Sequence, residues 1–192
     1  MKIYQYANHD EYVAAQIEAN VRKINLVWVD RHTIETIAAR HVQAHAILCH
    51  GTRNATEQRY FLESFPQAEI IGTEISPTAD QFPMTVQWDF HEVNADWTGR
   101  MDIVYSNAID HSYDPVLALR VWADQLSPTG RLYVEHAYAP EDNYARASDP
   151  LEIHDPEIRE IIQDLGLTLE HTFDTTGIKG RCPCRVYVIA NK

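Results

Sequence analysis

Between Ala44 and Ser76 two short apolar runs flank a helical pattern, and this arrangement limits the chain to an α/β architecture. The first run, Ala46-Ile47-Leu48-Cys49, stops at His50-Gly51-Thr52, and the second, Glu69-Ile70-Ile71-Gly72-Thr73-Glu74, stops at Ser76-Pro77. Short apolar runs bounded by turn residues read as buried strands. Between them Asn54 and Glu57 have the spacing of a capping box, and Phe61, Leu62 and Phe65 fall on one helical stripe. The expected result is a βαβ unit with Glu74 at the end of its second strand.

The flanking sequence extends this unit in both directions. Upstream, Tyr12, Val13, Ile17 and Val21 recur at helical spacing between Asp10 and Ile24, as do Ile34, Ile37 and Ala38 between Asp30 and His41. Two helices therefore precede the first strand, placed to cover the edge or the ligand mouth of the sheet. Downstream, Thr85 to Phe90 reads as a third strand and Met101 to Ser106 as a fourth that breaks at Asn107. Pro115 to Leu126 reads as a helix, with Asp114 as its cap and Pro115 in the first helical position, and Ser127-Pro128-Thr129-Gly130 ends it. Arg131 to His136 is a fifth strand, and the polar stretch from Ala139 to Pro150 reads as a loop over the site. A helix capped at Asp155-Pro156 runs through Leu165 and stops at Gly166, followed by strands over Leu167 to Phe173 and Arg185 to Ile189. The link from Asp174 to Cys184 has no space for a crossover helix, so the last two strands are expected to pair antiparallel.

A chain of 192 residues that is 45% hydrophobic suits one domain, with N-terminal helices over 1–43 and a core over 44–192. The formal charge of −12 repels phosphate backbones and anionic lipid, which disfavours nucleic acid and membrane as partners. No run approaches the roughly 18 apolar residues of a spanning helix, and the start lacks the apolar core of a signal peptide. A cytoplasmic protein is expected. Cys182-Pro183-Cys184 lacks the spacing of a zinc ribbon or thioredoxin site, and no metal is expected.

Several landmarks occur in one order: the loop His50-Gly51-Thr52-Arg53-Asn54, the strand-ending acid Glu74, the pair Asp89-Phe90, and the turn Leu126-Ser127-Pro128-Thr129-Gly130. Over about Ala44 to Lys192 this order resembles the class I S-adenosylmethionine-dependent methyltransferases. Ser106-Asn107-Ala108-Ile109-Asp110-His111 is similar to the segment after strand four in the small-molecule and sugar subgroup. The resemblance implies a Rossmann-like, seven-stranded, mostly parallel sheet with an antiparallel last strand, helices on both faces and an N-terminal helical extension. It implies S-adenosyl-L-methionine as cofactor, held by His50, Gly51, Thr52, Arg53, Glu74, Ile75, Asp89, Phe90 and Asn107. In that arrangement Glu74 accepts the ribose hydroxyls and Asp89 the adenine amine, while Phe90 and Ile75 sandwich the ring. The Gly51 turn and Arg53 meet the methionine carboxylate, and the Asn107 backbone faces the ammonium. Parallel strands converge on a crevice at their carboxyl ends, and Glu74 follows Gly51 by about the 20 residues that separate glycine turn and acid in dinucleotide sites.

For chemistry, His111 is the first candidate to take a proton from a hydroxyl or amine nucleophile, and His136 the second. Tyr113 and Tyr138 are expected to line the acceptor pocket. The expected acceptor is an oxygen or nitrogen of a small molecule or sugar, since the segment after strand four lacks the Asn-Pro-Pro-aromatic sequence of amino-methylating DNA enzymes. Exposed strand seven offers an edge for a homodimer. The first loop departs from the family pattern, with one glycine and no acid in Cys49 to Asn54. That departure supports an alternative, a catalytically inactive binding or scaffold protein on the same fold. A nucleotide-dependent oxidoreductase is disfavoured by the absence of a Tyr-x-x-x-Lys pair and of a second Rossmann glycine.

Overall fold

The computed structural model describes residues 1–137, 144–175 and 183–192. In chain order its elements are β1 (Lys2–Ile3), α1 (His9–Lys23), α2 (Arg31–Ala38), β2 (Ala46–His50), α3 (Thr56–Ser64), β3 (Glu69–Glu74) and β4 (Thr85–Gln87). They continue as β5 (Met101–Ser106), α4 (Pro115–Asp124), β6 (Leu126–Ala137), β7 (Leu151–Glu152), α5 (Asp155–Asp164), β8 (Thr168–Thr175) and β9 (Cys184–Ala190).

Seven strands form one sheet in the order β4-β3-β2-β5-β6-β9-β8. β4 through β6 pair in parallel, and β9 runs antiparallel to both β6 and β8. Side chains alternate across this sheet, which gives the chain a core on each face. Leu48, Val104, Leu132, Val134 and Ile189 pack on one face with Leu119 and Trp122 of α4 and Ile158 and Ile162 of α5. Ile47, Cys49, Ile103, Tyr105 and Val188 pack on the other with Ile34 and Ile37 of α2 and Phe61 of α3. The chain leaves β2 toward β3 and β4 on one side and returns to β5 on the other, so the crevice of an α/β sheet opens at the carboxyl ends of β2 and β5.

Several local expectations differ from the structure. The capping box at Asn54 does not form: α3 begins at Thr56 after Ala55, with no side-chain cap. The Asn54 amide instead donates to the carbonyls of Ile24 and Leu26 at 2.9 and 3.1 Å. The third strand ends at Gln87, because Asp89 and Phe90 turn away into a loop stitched by histidine contacts. Ser127 to Gly130 forms no separate turn; α4 ends at Asp124 and this segment belongs to β6, with a register shift opposite Met101 and Ile103. α5 is capped by His154, whose backbone amide donates to Glu157, rather than by Asp155. The strand over Arg185 to Ile189 lies inside the sheet between β6 and β8, so the open edge on that side is β8. A two-stranded sheet of β1 and β7 also forms, too short to leave a period in the sequence.

Candidate functional site

Beyond β2 the backbone takes an alternating path. Gly51, Arg53 and Ala55 have φ of 71°, 44° and 59°, so every second residue of the loop is left-handed. Gly51 is obligatory, since a Cβ there would lie 2.5 Å from the Cβ of Ala108. For Arg53 and Ala55 the left-handed conformation costs about 1 kcal/mol each. The loop is held to that path by Thr52 N donating to the Thr73 carbonyl (3.0 Å), Arg53 N donating to Glu74 Oε2 (3.1 Å) and Gln58 Nε2 donating to Thr52 Oγ1 (2.9 Å).

Glu74 therefore has a structural task. Its other oxygen accepts from Ser76 N at 3.0 Å. Burial raises its carboxyl pKa, while the Ser76 bond and the charges of His111 and Arg53 work in the opposite direction. Glu74 shares a narrow cavity of about 40 Å³ with Gly51, Ile75, Asp89 and Phe90. Asp89 Oδ1 accepts from His91 N at 3.0 Å and lies 2.7 Å from His91 Nδ1, and Oδ2 lies 3.0 Å from His9 Nε2. Burial works against ionisation of Asp89, but the His91 and His9 contacts prevail and hold its pKa below the ordinary value.

The cavity is narrow because α1 lies across it. Tyr12, Gln16, Ala19 and Asn20 form its wall, Tyr12 Oη donates to the His111 carbonyl (3.2 Å), and Asn20 Oδ1 accepts from Thr78 Oγ1 (2.7 Å). From the sequence the two N-terminal helices are placed over the sheet edge or the ligand mouth without any of their residues being singled out, because Gln16 and Asn20 look like solvent positions until a buried face is known.

A second, larger cavity of about 390 Å³ adjoins the first at Gly51, Arg53, Ala108 and His111. Thr52, Asn107, Glu135, His136 and Glu57 also face it, and Leu26, Val27 and Trp28 form its exposed apolar rim. His111 Nδ1 lies 2.9 Å from Gln16 Oε1, and its Nε2 lies 3.8 Å from Asp149. His136 Nε2 lies 3.1 Å from the Ile153 carbonyl, and burial lowers its pKa. Glu135 accepts from Tyr105 Oη (2.6 Å), Thr33 Oγ1 (3.3 Å) and Thr175 Oγ1 (2.7 Å), and burial raises its pKa against those bonds.

The structure thus brings Gly51, Thr52, Arg53, Glu74, Ile75, Asp89, Phe90, Asn107, His111 and His136 to two joined cavities. It does not bring the His50 side chain there. That imidazole stacks on Trp122 with centroids 5.2 Å apart and is bonded to Thr73 Oγ1 (3.0 Å) and Gln125 Oε1 (2.8 Å). Burial pushes its pKa down to about 4. Tyr113 packs on Tyr12 and His91 instead of the larger cavity, and Tyr138 lies outside the described residues. Asp110, His111 and Asp149 place donor atoms within 4.8 Å of one another. Asp149 is already engaged by Lys23 (3.1 Å) and Arg146 (2.6 Å), in an ion-pair network that also takes in His111.

No protein-family model matches the chain, and no curated protein matches it. Solved structures do. The chain superposes on Burkholderia thailandensis 1,6-didemethyltoxoflavin-N1-methyltransferase with bound 1,6-didemethyltoxoflavin and S-adenosylhomocysteine, at TM-score 0.75 and 18% identity, covering 98% of this chain and 92% of that one. It also superposes on magnesium protoporphyrin IX methyltransferase from Synechocystis PCC 6803 with bound S-adenosylmethionine, at TM-score 0.64 and 14% identity, covering 97% and 100%. The [4+2]-cyclase SpnF is similar at TM-score 0.66 and 11% identity, covering 84% and 80%. The architecture of this chain is therefore the Rossmann-like methyltransferase fold.

Proposed function

We propose that the chain is an S-adenosylmethionine-dependent methyltransferase acting on an oxygen or nitrogen of a small molecule or sugar. The observation that carries this reading is the position of Glu74 at the end of β3 and of Asp89 just beyond β4, facing one cavity with Gly51 and Arg53 of the left-handed loop. The residues present fit the cofactor. Gly51 leaves a cradle that a Cβ would close, and an ionised carboxylate such as Glu74 has about four acceptor sites, of which two are used by Arg53 N and Ser76 N. The remaining sites suit ribose hydroxyls. Arg53 suits a carboxylate, and Asp89 suits an exocyclic amine once His9 gives way.

When bound, the cofactor supplies an electrophilic methyl carbon with a neutral thioether as leaving group. The chain holds the acceptor in line with that carbon and takes up its proton, and positioning provides much of the acceleration. If His111 Nδ1–H donates to Gln16 Oε1, the lone pair at Nε2 is left to accept the proton, with Asp149 at 3.8 Å to stabilise the imidazolium. His136 Nε2–H donates to the Ile153 carbonyl in the same way, which leaves Nδ1 as the basic atom.

The bound ligands of the two methyltransferase structures support this reading. The cyclase supports a second one, in which the fold binds a ligand without transferring a methyl group, since fold alone does not set chemistry. Calorimetry with S-adenosylmethionine and S-adenosylhomocysteine tests the cofactor site that the first reading requires. Binding of both, weakened at least tenfold in Glu74→Ala, is the expected result. Absence of heat from either ligand favours the scaffold reading.

A further inference from the structure

Glu57 lies in the first turn of α3, buried, and its Oε2 has no hydrogen-bond partner among the described residues. The carboxylate otherwise takes a backbone hydrogen bond from its own amide and a long bond of 3.5 Å from Asn107 Nδ2 to Oε1. A buried carboxyl with one oxygen left unbonded is costly, and folded proteins keep few polar groups in that state. Glu57 faces the larger cavity, as does Arg53 four residues earlier. The two form no ion pair among the described residues, so the cavity presents an anion and a cation separately. One Arg53 nitrogen, Nη1, is committed to the Leu26 carbonyl at 3.3 Å, which leaves the other donors of the guanidinium for a ligand.

We propose that Arg53 and Glu57 form a clamp for an α-amino-acid zwitterion, Arg53 pairing with its carboxylate and Glu57 accepting from its ammonium. The ligand is the methionyl end of the cofactor, so this assignment rests on the methyltransferase reading. The clamp also accounts for the missing loop acid: where the loop after β2 carries none, α3 brings one to the same cavity. The groups that act on Glu57 are its own backbone amide, Arg53 of the loop, Asn107 after β5 and Glu135 of β6. Cys49 of β2 and Tyr105 of β5 in turn sense its charge. Burial pushes the Glu57 carboxyl up to about 7, with Arg53 and Asn107 working against it, so the carboxylate forms readily when a cation arrives.

The test is calorimetry on the full chain near neutral pH with two ligands, S-adenosylhomocysteine and 5′-methylthioadenosine, which carries the adenosyl group and thioether but no amino-acid end. The wild type is expected to bind S-adenosylhomocysteine more tightly than methylthioadenosine. Glu57→Gln should weaken S-adenosylhomocysteine about 10- to 100-fold and leave methylthioadenosine unchanged. Its thermal midpoint should equal or exceed that of the wild type, because a neutral amide is cheaper to bury, which shows that the variant is folded. Unchanged S-adenosylhomocysteine affinity in Glu57→Gln, or an equal loss for both ligands, overturns the clamp while the cofactor reading stands. If neither ligand binds the wild type, the cofactor reading falls and the clamp with it.

Discussion

His9 Nε2 lies 3.0 Å from Asp89 Oδ2, so the first residue of α1 already occupies one oxygen of the acid proposed to read an adenine amine. A ligand that claims Asp89 must displace this contact, and with a cavity of only about 40 Å³ it must also shift α1. His9→Ala should therefore tighten S-adenosylhomocysteine binding about two- to tenfold, the worth of one exposed hydrogen bond. Titration calorimetry decides this. Weaker binding in the variant would make His9 part of the ligand's own site.

The left-handed loop gives a stability prediction with opposite signs at two positions. Ala55→Gly relieves a conformation that costs alanine about 1 kcal/mol and should raise the unfolding free energy by up to that amount. Gly51→Ala places a Cβ 2.5 Å from that of Ala108 at a φ of 71° and should lower it by more than about 2 kcal/mol. Denaturant unfolding of both variants checks the pair. A destabilised Ala55→Gly would show that the loop follows a different path.

His50 makes stability depend on pH. Its folded pKa of about 4 lies below the ordinary value of 6.5, so unfolding takes up a proton. Stability from this residue is complete above about pH 6.5 and is lost as pH falls toward 4, by about 1.4 kcal/mol per unit and about 3 kcal/mol in all. Thermal midpoints measured across that window should fall steeply in the wild type and less steeply in His50→Gln. Parallel curves would exclude the residue as the source.

His111→Ala should lower methyl transfer at least 100-fold at saturating cofactor, the usual contribution of a general base, with S-adenosylhomocysteine affinity changed by less than about threefold. Because His111 Nδ1 contacts Gln16, a thermal scan should accompany the assay to separate misfolding from lost chemistry. A folded variant with undiminished turnover would pass the role to His136.

The places of Glu74 and Asp89 beside one cavity were legible in the sequence because each follows a short β-rich run, and the spacing of Glu74 from Gly51 follows from the geometry of a parallel sheet. The left-handed path through Arg53 and Ala55 was not, since neither residue type signals a positive φ. His50 was assigned to the site from its adjacency to Gly51. Strand alternation carried the better signal, because Leu48 and His50 share the face that α4 covers. Glu57 looked like a cap by its spacing from Asn54, whereas its distance of four residues from Phe61 already placed it on the buried stripe. The part played by α1 depends on long-range contacts that no local pattern encodes.

Asn54 donates from one amide group to the carbonyls of Ile24 and Leu26, just past the end of α1. That amide joins the segment that follows α1, the helix over the cavity proposed for adenine, to the left-handed loop beside the larger cavity. A displacement of either is felt by the other, so occupancy of the two cavities is expected to be cooperative. A fragment filling only one half would then meet a site still arranged for none, and the whole ligand would bind more tightly than its separate pieces suggest.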